Sequence, residues 1–324
     1  MDRIQLMGLI AASLPGLAAL GALLFTWMQV NQSTEELRIS EHGQITTRFN
    51  SAISNLGSKS MDVRLGGIYA LGRIMQDSAR DQPTIISVLT AFAERHAGSS
   101  KRSLAKPLPE EYVRPAADVR AAMATLAHRR PEHDGGATID LSATDLRGLR
   151  FTENLPTKFP RVTLVEADLR IAALTGADLR GATLHGANLN SADLQRANLR
   201  GARMWVTNLV NANVAEADLR NTAIVGADWT DAFAPDADFR GANLFDSNLS
   251  DALMDDADFR GADLTNAKLR DASLMDADLR GADLTDSDLS NADLTGADFR
   301  GAKLTGVDLE GAIRTGARGL PQKG

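Results

Sequence analysis

The chain has no cysteine among its 324 residues, and only 5% of them are aromatic. The lack of cysteine excludes disulfides, thiolate nucleophiles and cysteine-based zinc sites, although it does not decide the cellular compartment. The sequence also lacks a phosphate-binding loop, a nucleophile elbow and a recognisable catalytic pair of carboxylates. We therefore expect a non-enzymatic protein, with no catalytic residue, no cofactor and no dedicated metal site.

What the sequence does contain is a motif that recurs every twenty residues. It reads Ala-Asp-Leu-Arg-Gly-Ala at Ala177–Ala182, and a period of five lies within it: a small residue, usually Asp or Asn, then Leu or Phe, then two variable residues. Thirty such pentads run without a slip from Leu164 to Leu309. A helix needs a period near 3.6 and a flat strand needs 2. A square coil with one pentad per side fits instead, so residues twenty apart should stack. The motif begins again at Ala197, Ala217, Ala237, Ala257, Ala277 and Ala297.

This pattern resembles the pentapeptide-repeat proteins, whose consensus is A(D/N)LXX. The resemblance covers about half of the chain and implies a right-handed quadrilateral β-helix, a mainly β fold. In that fold the central Leu or Phe and the small residue before it face inwards, and the other three positions face outwards. We expect the coil to end at Arg314, because a guanidinium is unsuited to a dry central position.

Unusual central residues predict local differences in the interior. Phe239, Phe259 and Phe299 share one column, which predicts an aromatic stack interrupted by Leu279. Trp229 is too large for its position, and we expect the small residue that follows it in the same turn, at position 234, to compensate for the volume.

The whole chain divides into seven predicted segments. They are an N-terminal transmembrane helix (1–30), a juxtamembrane segment (31–43), a helical region (44–97), a linker with a fourth helix (98–135), a starter coil and loop (136–163), the β-helix (164–314) and a tail (315–324).

The run from Ile4 to Val30 contains no charged residue. It is long enough to cross a bilayer, because about 20 apolar residues suffice. A cleaved signal peptide is the alternative, but the run exceeds the usual apolar core and no small-residue cleavage site follows it. We therefore predict a single-pass membrane protein. Basic residues on the two sides nearly balance, so the orientation rests on the resemblance, which favours a cytoplasmic location for the bulk of the chain.

Apolar residues three and four apart predict helices before the coil. Ser60 and Asp81 are expected to cap two of them, and Asp62–Leu71 resembles a HEAT or armadillo helix. The helices could form a small bundle that caps or spaces the coil, or a repeat that docks a partner. The apolar residues at 141, 146 and 151 predict a starter turn, and Glu153–Arg161 a protruding loop.

One outward column is basic, and an acidic residue stands two positions before six of its seven members. We predict a structural charge ladder rather than a polyanion site. The chain from Leu164 onward has 26 acidic and 16 basic residues, a net charge of −10, so direct binding of nucleic acid is not expected. The arginines are Arg180, Arg200, Arg220, Arg240, Arg260, Arg280 and Arg300.

Another outward column is apolar and is our candidate partner surface. Either the N-terminal helices cover it or another protein binds it. Aspartates at the corners of the coil could hold cations, but such residues more often satisfy turn amides. The surface comprises Val165, Trp205, Val225 and Phe245, interrupted by His185, and a separate pair, Phe233 and Leu253.

These features predict a membrane-anchored scaffold that presents a rigid β-helical coil to an unknown protein partner. The alternative, which the resemblance allows, is a DNA-mimicking protein that binds a topoisomerase such as gyrase. Those binders are typically soluble dimers joined through a C-terminal module, and the sequence shows neither feature.

Overall fold

The computed structural model describes residues 22–32, 43–100, 114–151 and 157–321. It divides into two compact units, residues 1–54 and 55–324. Helices span residues 22–32 and 43–56. The second unit contains three further helices followed by a coil of short parallel bridges, which occupies the rest of the described chain.

The prediction of a single-pass membrane protein is wrong. Among the residues that the structure describes, none of the helices combines the length and the apolar character needed to cross a bilayer. The described part of the run from Ile4 to Val30, residues 22–30, is helical. Residues 4–21 of the predicted span, and 33–42 of the predicted juxtamembrane segment, lie outside the described residues.

The three helices of the second unit are Met61–Asp77, Gln82–Ala97 and Ala117–Ala127, and a 3-10 turn follows at Pro131–His133. Each helix packs against the other two. Their apolar positions recur at spacings of three and four, so each helix buries one face. The buried residues include Ile68, Leu71 and Ile74, then Ile85, Leu89 and Phe92, then Val119, Met123 and Leu126.

Helix capping differs from the prediction. Ser60 and Asp81 occupy the N-cap positions, but neither side chain makes a capping hydrogen bond. The Asp81 carboxylate instead accepts a hydrogen bond of 2.7 Å from the Ser78 hydroxyl, which explains why it does not cap the helix. Arg64 and Asp118 join the first and third helices through an ion pair of 2.6 Å, in which Asp118 is buried.

In the coil, parallel bridges join residues twenty apart, as the period requires. Asp178 bridges to Asn198 and Asn198 to Asp218, and the same step recurs on all four sides of each turn. The amide of Leu179 donates to the carbonyl of Asn198 at 2.8 Å, and the amide of Asp178 donates to the preceding turn. Successive turns are therefore joined by backbone hydrogen bonds on every wall.

The corners of the coil depend on a left-handed residue. Leu179 O accepts a 3.0 Å hydrogen bond from the amide of Ala182, and the third residue of this turn, Gly181, has φ of 64°. Glycine adopts this conformation freely, and Asn and Asp tolerate it best among the other residues. This explains why the last position of the pentad is so often Gly, Asn or Asp.

The interior is filled as the sequence predicts. Leu179 and the alanine two residues before it are buried, and so are their counterparts in the stacked turns. Phe239 and Phe259 stack face to face, with ring centroids 4.6 Å apart. Trp229 is also buried and meets Phe239 edge-on at 5.6 Å, beside the small residue Ala234 in the same turn.

The helices close the first end of the coil. Met123 lines a small apolar cavity together with central residues of the first turns, among them Leu141 and Leu146. Backbone hydrogen bonds join Lys158 to Ala127 at 3.1 Å and Ser100 to the carbonyl at position 143 at 2.9 Å. These contacts place the helices on the end of the coil rather than along its walls.

Two boundaries of the coil differ from the sequence prediction. Phe159 is buried in a central position and Lys158 bridges to Asp178, so residues 157–161 belong to the coil and not to a protruding loop. The rest of that predicted loop, residues 153–156, lies outside the described residues. The coil also continues beyond Arg314, since Asp298 bridges to Arg318.

Arg314 is tolerated at a central position because the last described turn is open on one side. Its central residues Leu304 and Leu309 are only half-buried, unlike those of earlier turns. Arg314 is likewise half-buried, and its guanidinium donates to the carbonyl of Leu309 at 2.8 Å. The partial exposure of the residue and this hydrogen bond explain why the coil continues through Arg314.

Arg129 should be essential to the junction between the helices and the coil. Its side chain is 2% exposed, pairs with Asp134 at 3.0 Å and donates to the carbonyls of Leu126 and Lys158. Removing one partner of a buried ion pair typically costs about 3–5 kcal/mol. We expect Arg129→Met to lower the free energy of unfolding by this order, measured by urea denaturation, whereas Arg130→Met at the exposed neighbour should leave it nearly unchanged. Equal stability of the two variants would contradict this role.

Candidate functional site

The outward positions of the coil form regular columns. The residues before and after each central residue face outwards, and the corresponding residue of the next turn lies about 4.8 Å away along the coil. Each wall therefore displays two columns of side chains on a backbone whose spacing is fixed by hydrogen bonds. The candidate residues lie on three of these four walls.

The predicted arginine column lies beside a column of aspartates. Within one pentad, the guanidinium of Arg240 contacts the carboxylate of Asp238 through two bonds of 2.6 and 2.8 Å. The same carboxylate accepts the backbone amide of Arg240 at 3.2 Å. Arg180, Arg220, Arg260, Arg280 and Arg300 pair with their own aspartates in the same way.

Ion pairs also cross from one turn to the next. Arg220 lies 3.4 Å from Asp238, and Arg240 lies 3.4 Å from Asp258. The series continues with distances of 3.5 and 4.0 Å to the aspartates at 278 and 298. Asn198 stands where the other pentads have Asp, so Arg200 lacks a carboxylate in its own pentad and the series of alternating charges begins at Asp218.

These contacts lower the pKa values of several aspartates. The side-chain hydrogen bond from Arg220 lowers the pKa of Asp218, and that from Arg280 lowers the pKa of Asp278. The hydrogen bond from Arg300 lowers the pKa of Asp298 to about 2. On another wall, hydrogen bonds from Lys303 and Thr285 lower the pKa of Asp283 to about 2.

The apolar column lies on a different wall. Trp205 is 47% exposed and Phe245 is 38% exposed, while Val165 and Val225 are half-buried. His185 meets the Trp205 ring edge-on, with centroids 6.1 Å apart. We call Val165, His185, Trp205, Val225 and Phe245 the apolar stripe.

Phe233 and Leu253 are separate from the apolar stripe. They bridge to each other on the wall half a turn away, which is the opposite side of the coil. They are 45% and 48% exposed. The structure thus divides the candidate partner residues into two surfaces.

Sequence reasoning missed two exposed apolar residues next to these surfaces. Val206 adjoins Trp205 and is 64% exposed at a left-handed corner, with φ of 55°. Met275 is 39% exposed on the wall of Phe233 and Leu253. The signal for Val206 was available, because a β-branched residue is unfavourable at a corner where φ is positive.

The helices that contact the coil leave the apolar stripe uncovered. The backbone hydrogen bonds that join the helical region to the coil involve Ala127, Gly98 and Ser100, and all of them are made at the first turn of the coil. Trp205 lies further along the coil and remains exposed within the part of the chain that the structure describes.

The acidic corners serve the backbone. Asp231, Asp251 and Asp271 have φ between 56° and 61°, so they occupy the left-handed position that Gly takes elsewhere. Asp236, Asp256 and Asp276 do the same on the next corner. Within the described ranges, His, Asp and Glu residues form no group of three or more that could hold a metal ion.

Comparison with known proteins identifies the repeat. The family model for pentapeptide repeats matches in eight copies, over residues 167–205, 237–274 and 272–311. HetL, a pentapeptide repeat protein involved in heterocyst differentiation regulation in Nostoc sp. strain PCC 7120, is 34% identical, and the match covers 55% of this chain and 81% of HetL with a TM-score of 0.34. The family model and the sequence identity with HetL show that the chain belongs to the pentapeptide repeat proteins.

Two other solved structures show the range of similarity. Rfr23, a pentapeptide repeat protein from the cyanobacterium Cyanothece 51142, is 32% identical over 26% of this chain and 62% of its own, with a TM-score of 0.21. Full-length QnrB1, a plasmid-mediated fluoroquinolone resistance protein, is 23% identical over 53% of this chain and 92% of its own, with a TM-score of 0.33. The comparison with curated proteins returned no match.

Reversing charges in the arginine column should destabilise the coil. Arg240→Glu with Arg260→Glu replaces attractive contacts by repulsion with Asp238, Asp258 and Asp278, so we expect the melting temperature to fall by several degrees, and more at low salt because exposed pairs are screened. Arg200→Glu is the matched control and should have a smaller effect, because its own pentad carries Asn198. An unchanged melting temperature in the double variant would contradict the ladder.

The lowered pKa values predict acid sensitivity in a defined range. An unfolded aspartate has a pKa near 3.9, so a folded pKa of about 2 means that the stabilisation is present above about pH 4 and is lost as the pH falls towards 2. We expect the melting temperature to drop across this range, and less steeply in a variant with Asp283→Asn and Asp298→Asn. Asp231→Asn, at a corner that accepts Asn, is the control. Identical pH profiles would refute the assignment.

Proposed function

We propose that this chain is a non-enzymatic scaffold that binds a protein partner through the apolar stripe. The observation that carries this proposal is the exposure of Trp205 and Phe245 on one wall of a regular coil. Tryptophan and other aromatic residues are enriched at protein interfaces, and a few of them commonly supply most of the binding energy. The membership of the pentapeptide repeat family supports a role in protein interaction rather than catalysis.

The geometry of the coil supports the proposal in a second way. Backbone hydrogen bonds fix the spacing between turns, so Trp205 and Phe245 are held two turns, or about 10 Å, apart before a partner binds. Pre-organised side chains lose little conformational freedom on binding. The Phe233–Leu253 pair on the opposite wall is a second, smaller candidate surface, and its position implies a separate contact.

A second candidate function is a DNA-mimicking topoisomerase binder. The net charge of −10 from Leu164 onward favours it. Against it, the aspartates from Asp218 to Asp298 are paired with arginines, so this wall does not display a row of free negative charges like that of a DNA backbone. The structure gives the scaffold stronger support.

The resemblance of Asp62–Leu71 to a HEAT helix stays a prediction.

The apolar stripe can be tested by comparing two double variants in cells that express the chain. Proteins enriched by proximity labelling with the native chain should be lost with Trp205→Glu and Phe245→Glu, because burial of the new carboxylates opposes binding. The same proteins should be retained with Thr265→Glu and Thr305→Glu, which place two carboxylates in the same column, closer to the C-terminus. Enrichment that is equal in all three chains would contradict the proposal.

A gyrase assay separates the two candidate functions. The scaffold proposal expects that the purified chain leaves DNA supercoiling by gyrase unchanged. Inhibition of supercoiling that survives the Trp205→Glu and Phe245→Glu changes would favour the topoisomerase binder.

A further inference from the structure

The helical region contains a groove that is lined by none of the residues of the coil. It lies between the Met61–Asp77 and Ala117–Ala127 helices and has a volume of about 460 Å³. Pockets for small ligands commonly have volumes of roughly 300–1,000 Å³. The groove can therefore accept a side chain with its flanking backbone, or a small organic acid.

Arg73 is the one permanently charged residue that lines the groove. Arg73 and His128 are its ionisable basic residues, and none of the lining residues is acidic. Tyr69, Gln76 and Thr125 add a phenol, an amide and a hydroxyl. The Thr125 hydroxyl already donates to the carbonyl of Ala121 at 2.8 Å. The guanidinium of Arg73 is on the exposed side of its helix, where its fork of donors suits a carboxylate.

His128 has an unsatisfied polar atom. Its Nε2 is buried and has no hydrogen-bond partner. Burial lowers the pKa of His128 and so favours the neutral ring, in which one of the two nitrogens carries a hydrogen that can be donated. A buried polar atom without a partner costs free energy, and a ligand oxygen within reach would remove that cost.

The floor of the groove is apolar and narrow. Met75 and Ala121 are buried beside it. A Cβ added at Gly72 would lie 3.0 Å from Cγ2 of Thr125, so the absence of a side chain there lets the two helices approach closely. An aliphatic stem could pack on this floor while its charged end meets Arg73.

We propose that this groove binds a carboxylate carried on a short aliphatic stem, with Arg73 as the main charge partner and His128 as a hydrogen-bond partner. An acidic side chain of a peptide and a free dicarboxylic acid share this chemistry. The site is independent of the apolar stripe on the coil, so either proposal can fail without the other.

The test titrates the full chain with three probes while following its five histidine rings by ¹⁵N NMR. The probes are a blocked pentapeptide with a central glutamate, the same peptide with glutamine, and glutarate. The glutamate peptide should shift the His128 ring saturably, and the glutamine peptide should bind at least about tenfold more weakly, as expected for the loss of a charged hydrogen-bond partner. Binding of glutarate as tight as the peptide identifies a free acid as the source, and weaker binding identifies the peptide.

Arg73→Gln should weaken binding of the glutamate peptide by about tenfold or more. Arg95→Gln is the matched control, because Arg95 is exposed on the Gln82–Ala97 helix outside the groove. Both residues are exposed, so neither change should affect folding. An unshifted His128 ring, equal binding of the glutamate and glutamine peptides, or equal affinities of the two variants would overturn the proposal.

Discussion

The fold depends on backbone hydrogen bonds between turns that must repeat after twenty residues. Most backbone amides of a turn donate to carbonyls of the preceding or the following turn. A single turn would leave these amides without partners, so stability comes from stacking, as in other solenoids. Among the bridges of the described residues, those of the first turn differ, because Asp140 bridges to Thr163 and the two residues are 23 apart rather than 20. Four corners per turn then require a left-handed residue at every fifth position, and the sequence supplies one throughout the coil.

Within this constraint the interior tolerates more variety than the consensus suggests. Thr207 and Ser247 replace inward alanines, and their hydroxyls donate to backbone carbonyls of the previous turn at 3.0 and 2.7 Å. A buried hydroxyl is accommodated when it finds such a partner. Trp229 shows the opposite case: its ring fills the space beside Ala234, but its indole nitrogen has no hydrogen-bond partner, so apolar packing alone compensates for it.

The coil could be predicted from the sequence because its period is unique to one architecture, and the family comparison confirms it. Phe159 lies five residues before Leu164 and is therefore in register, but the neighbouring prolines led us to predict a loop there. The central position of Arg314 could not be foreseen, because its tolerance depends on how open the last described turn is. The candidate surfaces were only partly predictable, since a one-dimensional pattern places a residue outward without showing what covers it. The groove near Arg73 depends on how two helices cross, and no sequence motif marks it.

The outward columns differ in a way that bears on their roles. The arginine column is continued through seven turns, as expected of an element that serves every turn equally. The apolar stripe instead ends at Phe245 and is followed in the same column by Thr265 and Thr285. The backbone at these positions is the same, so the fold itself does not require Trp205 or Phe245. Exposed aromatic residues that stability does not require, confined to a few adjacent turns, are what the proposed contact with a partner would need.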